Sequence, residues 1–497
     1  MQPIRVIIIG GGFSGAMTAY HLLKQDKVAC AITIVEPTLS NSGPGLGLAY
    51  STTCDEHLLN VSAAGMSALA DEPDHFLKYA LSKDSAVKAE DFLPRMFFGG
   101  YVQELLNTAI AEAKVDFHTF TTVQQKAIDI DRDTDIDTDI EIDNIKPFNV
   151  LLNNDQSLEA DIVVLALGNL AGGQPAWLDK LAVTSAHYIH NPWNTEAIKA
   201  IDSNDSVLLV GTGLTAVDKI IELKARGHVG SITAVSRHGL LPRKHLDMPE
   251  LHPPQFNWEN NEFKLSALSA LKLVRRQSAQ AVNWQAGVDS FRSITQKWWG
   301  NLALSEKRNF MRHLQTYWDI HRHRMAPSIA AKIESYQKSR QLRVLSGGIK
   351  QMQEKLDPAA NTDAKTERVS QADRIEQENA KTKVAVTIQE RYSKPRTLFV
   401  NKVINCTGPQ LKLKAIDSPL MANLHKRGLI APDATGAGIN CLSSGKIIDS
   451  NGQTNNRLFA IGPLLKAVLL ESVAVPELKG QAKELAKLIC TQKPHNI

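Results

Sequence analysis

The chain has 497 residues, more than a single hydrophobic core organises, so two or three domains are expected. Hydrophobic residues make up 43% and charged residues 22%, a globular balance that excludes global disorder. The 56 Lys and Arg against 52 Asp and Glu leave a net charge of +4, too small and too dispersed for a nucleic-acid-binding surface.

Five cysteines occur, Cys30, Cys54, Cys406, Cys441 and Cys490, with no CxxC pair among them. Neither a metal site nor a redox dithiol is therefore expected, and sparse thiols fit a reducing, cytoplasmic setting. Met1–Gly12 reads as a strand running into glycines rather than as a signal peptide. The apolar tract Leu458–Val475 is broken by Lys466 and Glu471, which argues against a membrane span.

Val6–Ile9 is a continuous apolar run, the pattern of a strand buried on both faces of a parallel sheet. Gly10-Gly11-Gly12-Phe13-Ser14-Gly15 follows at once, and helical periodicity then runs through Ala16, Ala19, Tyr20, Leu22 and Leu23. In this GxGxxG pattern Gly10 permits a tight turn, Gly12 admits a pyrophosphate to the backbone and Gly15 lets the helix pack on the strand. Phe13 and Ser14 open the helix, whose unpaired N–H groups and positive pole favour that pyrophosphate. A second strand, Ala31–Val35, ends at Glu36, 21 residues after Gly15 and placed for ribose hydroxyls. An acid there repels a 2′-phosphate, so the first ligand is read as FAD or NAD rather than NADP.

A glycine-rich turn with Gly43, Gly45 and Gly47 precedes His57–Ser62, where folds of this kind bring the chain past an isoalloxazine ring. Asn60 can donate and accept toward the flavin edge, so Asn60 and His57 are the candidate catalytic residues, ordinary turn positions being the alternative. Arg95 is a candidate for the FAD pyrophosphate. Asp129–Asp143 alternates acids with Ile and Thr and reads as a solvated loop or hairpin rim, without calcium-loop spacing. Asp161–Asn169 reads as a buried strand ending at a glycine turn, a pattern that returns at Val403–Pro409 and at Leu458–Pro463.

The first unit recurs about two hundred residues on. Val207–Val210 is the strand, Gly211-Thr212-Gly213-Leu214-Thr215-Ala216 the turn, and Ser231–Val235 the next strand. Ala216 replaces the third glycine, and Ser236 and Arg237 stand where the first unit has its acid. Gly211, Gly213, Leu214 and Thr215 are thus candidates for a second pyrophosphate, and Ser236 and Arg237 for the 2′-phosphate of NADPH. A solvated Arg237 is the alternative. Two dinucleotides in one chain make a hydride donor and its acceptor, and FAD with NADPH is the usual pairing.

Tyr317–Arg324 concentrates His, Arg and aromatics and reads as a solvated basic helix edge, a substrate pocket or an anion site. His321 and His323, two apart, do not share a helix face, which argues against a metal. Gln351–Lys383 is polar and free of aromatics and reads as a flexible excursion. After Gly462-Pro463, Leu464–Glu471 is expected to be a helix whose N-terminal dipole favours an anion at flavin N1 and O2.

The sequence resembles the flavin-containing monooxygenase-like group, in the bacterial branch labelled FAD-NAD(P)-binding protein. Matching segments include GGGFSGAMTAYHLL (10–23), GLGLAYSTTCDEHLLNVSAAGMSALADEPDHF (45–76), VLLVGTGLTAVD (207–218), SRHGLLPRKH (236–245), RHLQTYWDIHRHRMAP (312–327) and INCTGP (404–409). The resemblance extends over nearly the whole chain and implies an α/β fold of two Rossmann-like dinucleotide-binding domains, the NAD(P)H domain inserted into the FAD domain. The expected boundaries are 1–190 for the first part of the FAD domain, 191–402 for the NAD(P)H domain with a helical insertion, and 403–497 for the return segment.

The resemblance implies a flavoprotein fold and NAD(P)H dependence, and the leading reading is an FAD-dependent, NADPH-using monooxygenase that hydroxylates a small molecule with molecular oxygen through a flavin C4a-hydroperoxide. The alternatives are a flavin reductase or oxidase acting on a quinone, nitro compound or protein partner, and a non-catalytic flavin redox sensor. Many flavoproteins of this type close the last motif with Gly-Asp, the Asp holding a ribityl hydroxyl; here Gly462-Pro463 stands in its place. The FxGxxxHxxxW/Y signature is echoed only by His187, His190, Pro192 and Trp193. No partner of nucleic acid or membrane type is implied, and substrate and oligomeric state stay open.

Overall fold

Strand Ile4–Ile9 pairs in parallel with Cys30–Val35 on one side and with Ile162–Leu165 on the other, so all six of its residues sit inside a sheet. Its continuous apolar run has a simple cause: successive side chains point to opposite faces, and both faces are covered. Val6 and Ile8 join a core with helices Phe13–Leu23, Arg95–Glu112 and Val475–Thr491, while Ile7 and Ile9 join a second core beneath Pro419–Lys426. The computed structural model describes residues 2–41, 43–113, 117–132, 146–171, 175, 178, 186–246, 265–356, 382–390 and 393–491.

Contacts divide the chain into two units, Met1–Leu170 with Met248–Thr316 and Pro409–Ile497, and Ala171–Asp247 with Tyr317–Gly408. The six-stranded sheet of the first unit runs Lys446–Ile448, Thr454–Ala460, Ile162–Leu165, Ile4–Ile9, Cys30–Val35, Thr119–Val123. All neighbours are parallel except the first pair. In the second unit the order is Leu342–Ser346, Ile232–Ser236, Val207–Val210, Lys402–Asn405, Tyr188–Ile189, all parallel.

The two units share a plan. In each, an antiparallel three-stranded sheet immediately precedes the strand that flanks the fingerprint strand. These sheets are Ala127–Arg132, Phe148–Leu152, Ser157–Ala160 in the first unit and Gly348–Leu356, Thr382–Gln389, Arg396–Val400 in the second. The fold is the expected α/β pair of dinucleotide-binding units, one set within the other.

Three expectations are corrected. The helices Ala267–Gln280, Trp284–Ser290, Thr295–Asn301 and Leu304–His313, expected within 191–402, group with the first unit. Trp299 Nε1 donates to the Ala467 carbonyl at 2.8 Å and Arg292 Nη2 to Glu477 Oε1 at 2.6 Å, anchoring them there. The unit edges fall at 170 and 408 rather than 190 and 402, because Tyr188–Ile189 and Lys402–Asn405 are strands of the second sheet. Both ends of the 351–383 excursion are strand, with Met352, Val384 and Val386 buried; 357–381 lies outside the described residues.

The 129–143 stretch opens on strand Ala127–Arg132, which pairs antiparallel with Phe148–Leu152 as a hairpin, one of the two expected forms; Asp129 is buried there beneath Arg427, whose Nη2 reaches Asp129 Oδ2 at 2.8 Å, and 133–145 lies outside the described residues. Among the described residues no helix is long and apolar enough to cross a membrane, and no cluster of His, Cys, Asp and Glu could hold a metal ion.

Candidate dinucleotide sites

The first glycine turn is fixed from both sides. Gly10 N–H donates to the Val35 carbonyl at 2.9 Å, and Ala166 N–H to the Ile9 carbonyl at 2.9 Å. Gly10 has φ +112, and a Cβ there would stand 2.3 Å from the Ala166 carbonyl oxygen. A Cβ on Gly15 would stand 2.0 Å from the Gly10 carbonyl oxygen, so the helix meets the strand at a distance only glycine permits. Gly12 caps helix Phe13–Leu23 without a side-chain bond, and no acid lies in the helix's first turn. The free N–H groups and positive pole there suit an anion.

Glu36 reaches back into this turn. Its Oε2 accepts from Gly11 N–H at 2.8 Å, and its Oε1 from Thr38 N–H at 3.1 Å and Thr38 Oγ1 at 2.9 Å. The 43–47 turn docks on the same backbone: Gly45 N–H donates to the Gly11 carbonyl at 2.7 Å, and a Cβ on Gly47 would come within 2.8 Å of Gly12 Cα. Gln103, from helix Arg95–Glu112, holds that turn through Ser40 Oγ and the Gly43 carbonyl, both at 2.8 Å. Neither contact was read from the sequence. Glycines 43, 45 and 47 were the available signal for a tight backbone approach, but Gln103 lies on a helix with no mark to single it out.

His57, Asn60 and Arg95 come from two segments that pair. Leu59 N–H donates to the Leu93 carbonyl at 2.8 Å and Arg95 N–H to the His57 carbonyl at 2.8 Å, while Arg95 Nε donates to the Leu58 carbonyl at 3.1 Å. His57 is buried, with Nδ1 2.6 Å from Thr52 Oγ1, whereas Asn60 is half-buried. Burial pushes the Tyr50 hydroxyl up, with the Arg95 guanidinium opposing it. Arg95 thus opens helix Arg95–Glu112 and ties itself to the catalytic candidates' own strand of backbone.

Gly462 and Pro463 begin a 3-10 turn, Gly462–Leu465, followed by a single helical turn, Lys466–Leu469, rather than one helix to Glu471. A Cβ on Gly462 would lie 3.4 Å from Ser14 Oγ, which brings the return segment against the first fingerprint helix. A small hollow lined by Gly168, Leu170, Pro409, Ile416, Pro463 and Leu464 joins the ends of strands Ile162–Leu165 and Thr454–Ala460.

The second turn repeats the backbone of the first. Gly211 has φ +121, donates to the Val235 carbonyl at 2.7 Å, and would place a Cβ 2.1 Å from the Cys406 carbonyl oxygen. Gly213 caps helix Leu214–Ala225, where Leu214 and Thr215 form the first turn, and nothing lies within 4 Å of the Cβ it lacks. Thr212 Oγ1 bonds Ser236 Oγ at 2.8 Å and donates to the Leu240 carbonyl at 2.6 Å, and Gly239 N–H donates to Ser236 Oγ at 3.1 Å. Arg237 is exposed, at the end of strand Ile232–Ser236.

The 317–324 segment is not a solvated edge throughout: helix Gln315–Arg322 buries Ile320 and Arg322, and Arg324 beyond it is buried as well. All five cysteines are free thiols, as expected. Cys30 and Cys490, 460 positions apart, belong to one core, and each acts on the other's thiol, with the Cys30 pKa raised and that of Cys490 lowered. Cys30 begins strand Cys30–Val35, whose far end carries Glu36, so the pair sits about 17 Å from the glycine turn and outside its chemistry.

Residues 7–170 match the family model described as FAD-NAD(P)-binding. No curated protein sequence matches the chain. Among solved structures, the ornithine hydroxylase of Pseudomonas aeruginosa in its reduced form is similar at TM-score 0.61 and 12% identity, over 98% of this chain and 99% of that one. L-lysine 6-monooxygenase from Pseudomonas syringae gives 0.60 and 13% over 98% and 99%. The ornithine N-hydroxylase of Kutzneria sp. 744, solved with reduced FAD, NADP+ and L-ornithine, gives 0.58 and 12% over 98% and 99%. At such identities the likeness is one of fold. Residues 7–170 thus match the FAD-NAD(P)-binding model, and the chain as a whole shares its fold with these ornithine and lysine hydroxylases.

Proposed function

We propose that this chain is an FAD-dependent, NADPH-using monooxygenase that hydroxylates a small molecule with molecular oxygen in the cytoplasm. The observation that carries the reading is the pairing of two like-built glycine turns that end in opposite charge. Glu36 closes the first crevice with a carboxylate, and Ser236 and Arg237 close the second with a hydroxyl and a guanidinium. The neighbours named as ornithine and lysine monooxygenases, one of them holding FAD and NADP+, support the assignment of these two ligands and of oxygenation.

In this reading Gly10, Gly12, Phe13, Ser14 and Gly15 hold the FAD pyrophosphate against the pole of helix Phe13–Leu23, and Glu36 takes the ribose. Arg95 positions the His57–Asn60 segment through the Leu58 carbonyl, beside the same cofactor. Asn60 presents a donor and an acceptor to the flavin edge, and buried His57 fixes that segment through Thr52. The Gly462–Leu465 turn, backed against Ser14, supplies the Gly462 N–H where Gly-Asp is usual, Pro463 having none. Gly211, Gly213, Leu214 and Thr215 hold the NADPH pyrophosphate, and Ser236 and Arg237 its 2′-phosphate. The bound flavin supplies hydride acceptance and oxygen activation; the chain supplies position and exclusion of water.

Purified protein is expected to be yellow and to bleach when NADPH is added under argon. In air, a small-molecule screen should find a substrate that suppresses peroxide release during NADPH oxidation. Arg237→Ala is expected to cut the preference for NADPH over NADH roughly tenfold to hundredfold, the worth of a charge-assisted hydrogen bond. An unchanged preference removes Arg237 from the site, and protein that binds no flavin removes the whole reading.

A further inference from the structure

The run of aromatics and cations at Tyr317–Arg324 is not absorbed by the two glycine turns, and its most exposed member is its first. Tyr317 keeps 47% of its surface open on a helix whose Ile320 and Arg322 are buried. A large aromatic left in solvent at the mouth of a nucleotide crevice calls for a partner.

A chain of hydrogen bonds leads from the second turn to this ring. Thr212 Oγ1, inside the glycine turn, donates to the Leu240 carbonyl at 2.6 Å. Three residues on, Arg243 N–H donates to the Ile320 carbonyl at 2.8 Å, Met325 N–H returns to the Arg243 carbonyl at 2.8 Å, and His245 N–H follows to the Met325 carbonyl at 3.0 Å. Helix Gln315–Arg322 is thereby tied to the segment that continues from Ser236 and Arg237. The ring centroids of His238 and Tyr317 lie 5.8 Å apart with planes inclined at 44°. His321 Nδ1, 2.7 Å from the Tyr317 carbonyl oxygen, steadies the same turn of helix.

In a Rossmann crevice the pyrophosphate sits on the glycine turn and the adenosine reaches past the end of the second strand. That strand ends here at Ser236, and Arg237 and His238 are the next two residues. We propose that Tyr317, braced by His238, is the platform on which the adenine of the coenzyme stacks, next to the 2′-phosphate site at Arg237. The inference rests on the coenzyme assignment made above and adds a residue from a different segment to it. Tyr317 binds the base and takes no part in hydride transfer.

The test is calorimetric titration of the flavin-loaded protein with adenosine 2′,5′-bisphosphate and with adenosine 5′-monophosphate. Tyr317→Leu is expected to weaken both ligands by a similar factor, roughly tenfold, the usual loss when an aromatic stacked on a base is removed. Tyr317→Phe is expected to bind both as wild type does, because the ring and not the hydroxyl acts. Arg237→Ala is expected to weaken only the bisphosphate. Equal binding by wild type and Tyr317→Leu overturns the platform while leaving the coenzyme reading intact. A Tyr317→Phe variant as weak as Tyr317→Leu overturns stacking in favour of the hydroxyl. Failure of wild type to bind the bisphosphate overturns both readings together.

Discussion

The two glycine turns are nearly one backbone written twice. Gly12 and Gly213 cap their helices at φ −76, ψ −168 and φ −77, ψ −171, and each turn leans on the carbonyl of a neighbouring strand end, Ala166 or Cys406. They differ in what surrounds that backbone. Around the first, the 43–47 turn and Glu36 cover Gly11 and Gly12; around the second, Gly213 faces open space and Thr212 and Ser236 bond each other. The third position differs as well, since Gly15 has no room for a methyl group whereas Ala216 carries one, fully buried. A covered turn suits a ligand that stays and an open one a ligand that comes and goes. On the proposed function, the same peptide geometry serves a resident cofactor or a diffusing coenzyme according to the residues that cover it.

The largest effect that would break this contrast is at the third position. Gly15→Ala is expected to destabilise the first unit by about 3 kcal/mol, from a methyl group forced onto a backbone carbonyl, and to abolish flavin retention. The reciprocal Ala216→Gly should cost only about 1 kcal/mol of helix propensity. Thermal melts of the two variants check the asymmetry, and equal losses would mean that the two helix–strand spacings are alike.

Next in size is the acid. Glu36→Ala removes the acceptor for Gly11 N–H and for Thr38, and is expected to weaken FAD roughly tenfold to hundredfold. The colour retained after dialysis reports it, and NADPH affinity should stay unchanged.

A smaller effect separates the helices that follow the turns. Helix Leu214–Ala225 buries its Lys219 against Glu222 at 2.5 Å and under the Trp193 ring at 4.4 Å, so its charge is satisfied. Helix Phe13–Leu23 carries His21, whose pKa falls from 6.5 to about 4, first because it is buried and then because Lys483 repels the proton, with Asp71 opposing. A folded-state value below the unfolded one means that the unfolded chain binds the proton more readily. The stability is therefore complete above about pH 6.5 and is lost as pH falls toward 4. Allowing for solvent screening, about 1–2 kcal/mol disappears across that window. His21→Leu should flatten this part of the pH–stability curve, and an unchanged slope would assign the acid sensitivity elsewhere.

Much of the site was legible because its determinants are local. A buried strand, a glycine turn, a helix start and a terminal Glu or Arg lie within forty residues, and hydrogen bonds such as Gly10 N–H to the Val35 carbonyl join them inside that span. The three strand ends closing in glycine were also readable, at Gly168, Gly408 and Gly462. Other features depend on partners far along the chain. Gln103 reaches the 43–47 turn from a helix it does not mark, and the helices of 267–313 join the first unit through Trp299 and Arg292. Amphipathic periodicity states that a helix has an apolar face, never which sheet or helix will cover it.

The amino-acid order by itself determined that there are two glycine turns of like backbone, one followed by an acid and the other by an arginine, because these residues lie within a single βαβ unit. Only the tertiary structure decided which turn is covered, that the chain crosses between its two units more often than the two fingerprints imply, and that Cys30 and Cys490 join one core. Those outcomes are set by packing between residues hundreds of positions apart, where the free energy lies in shape and burial rather than in local conformation.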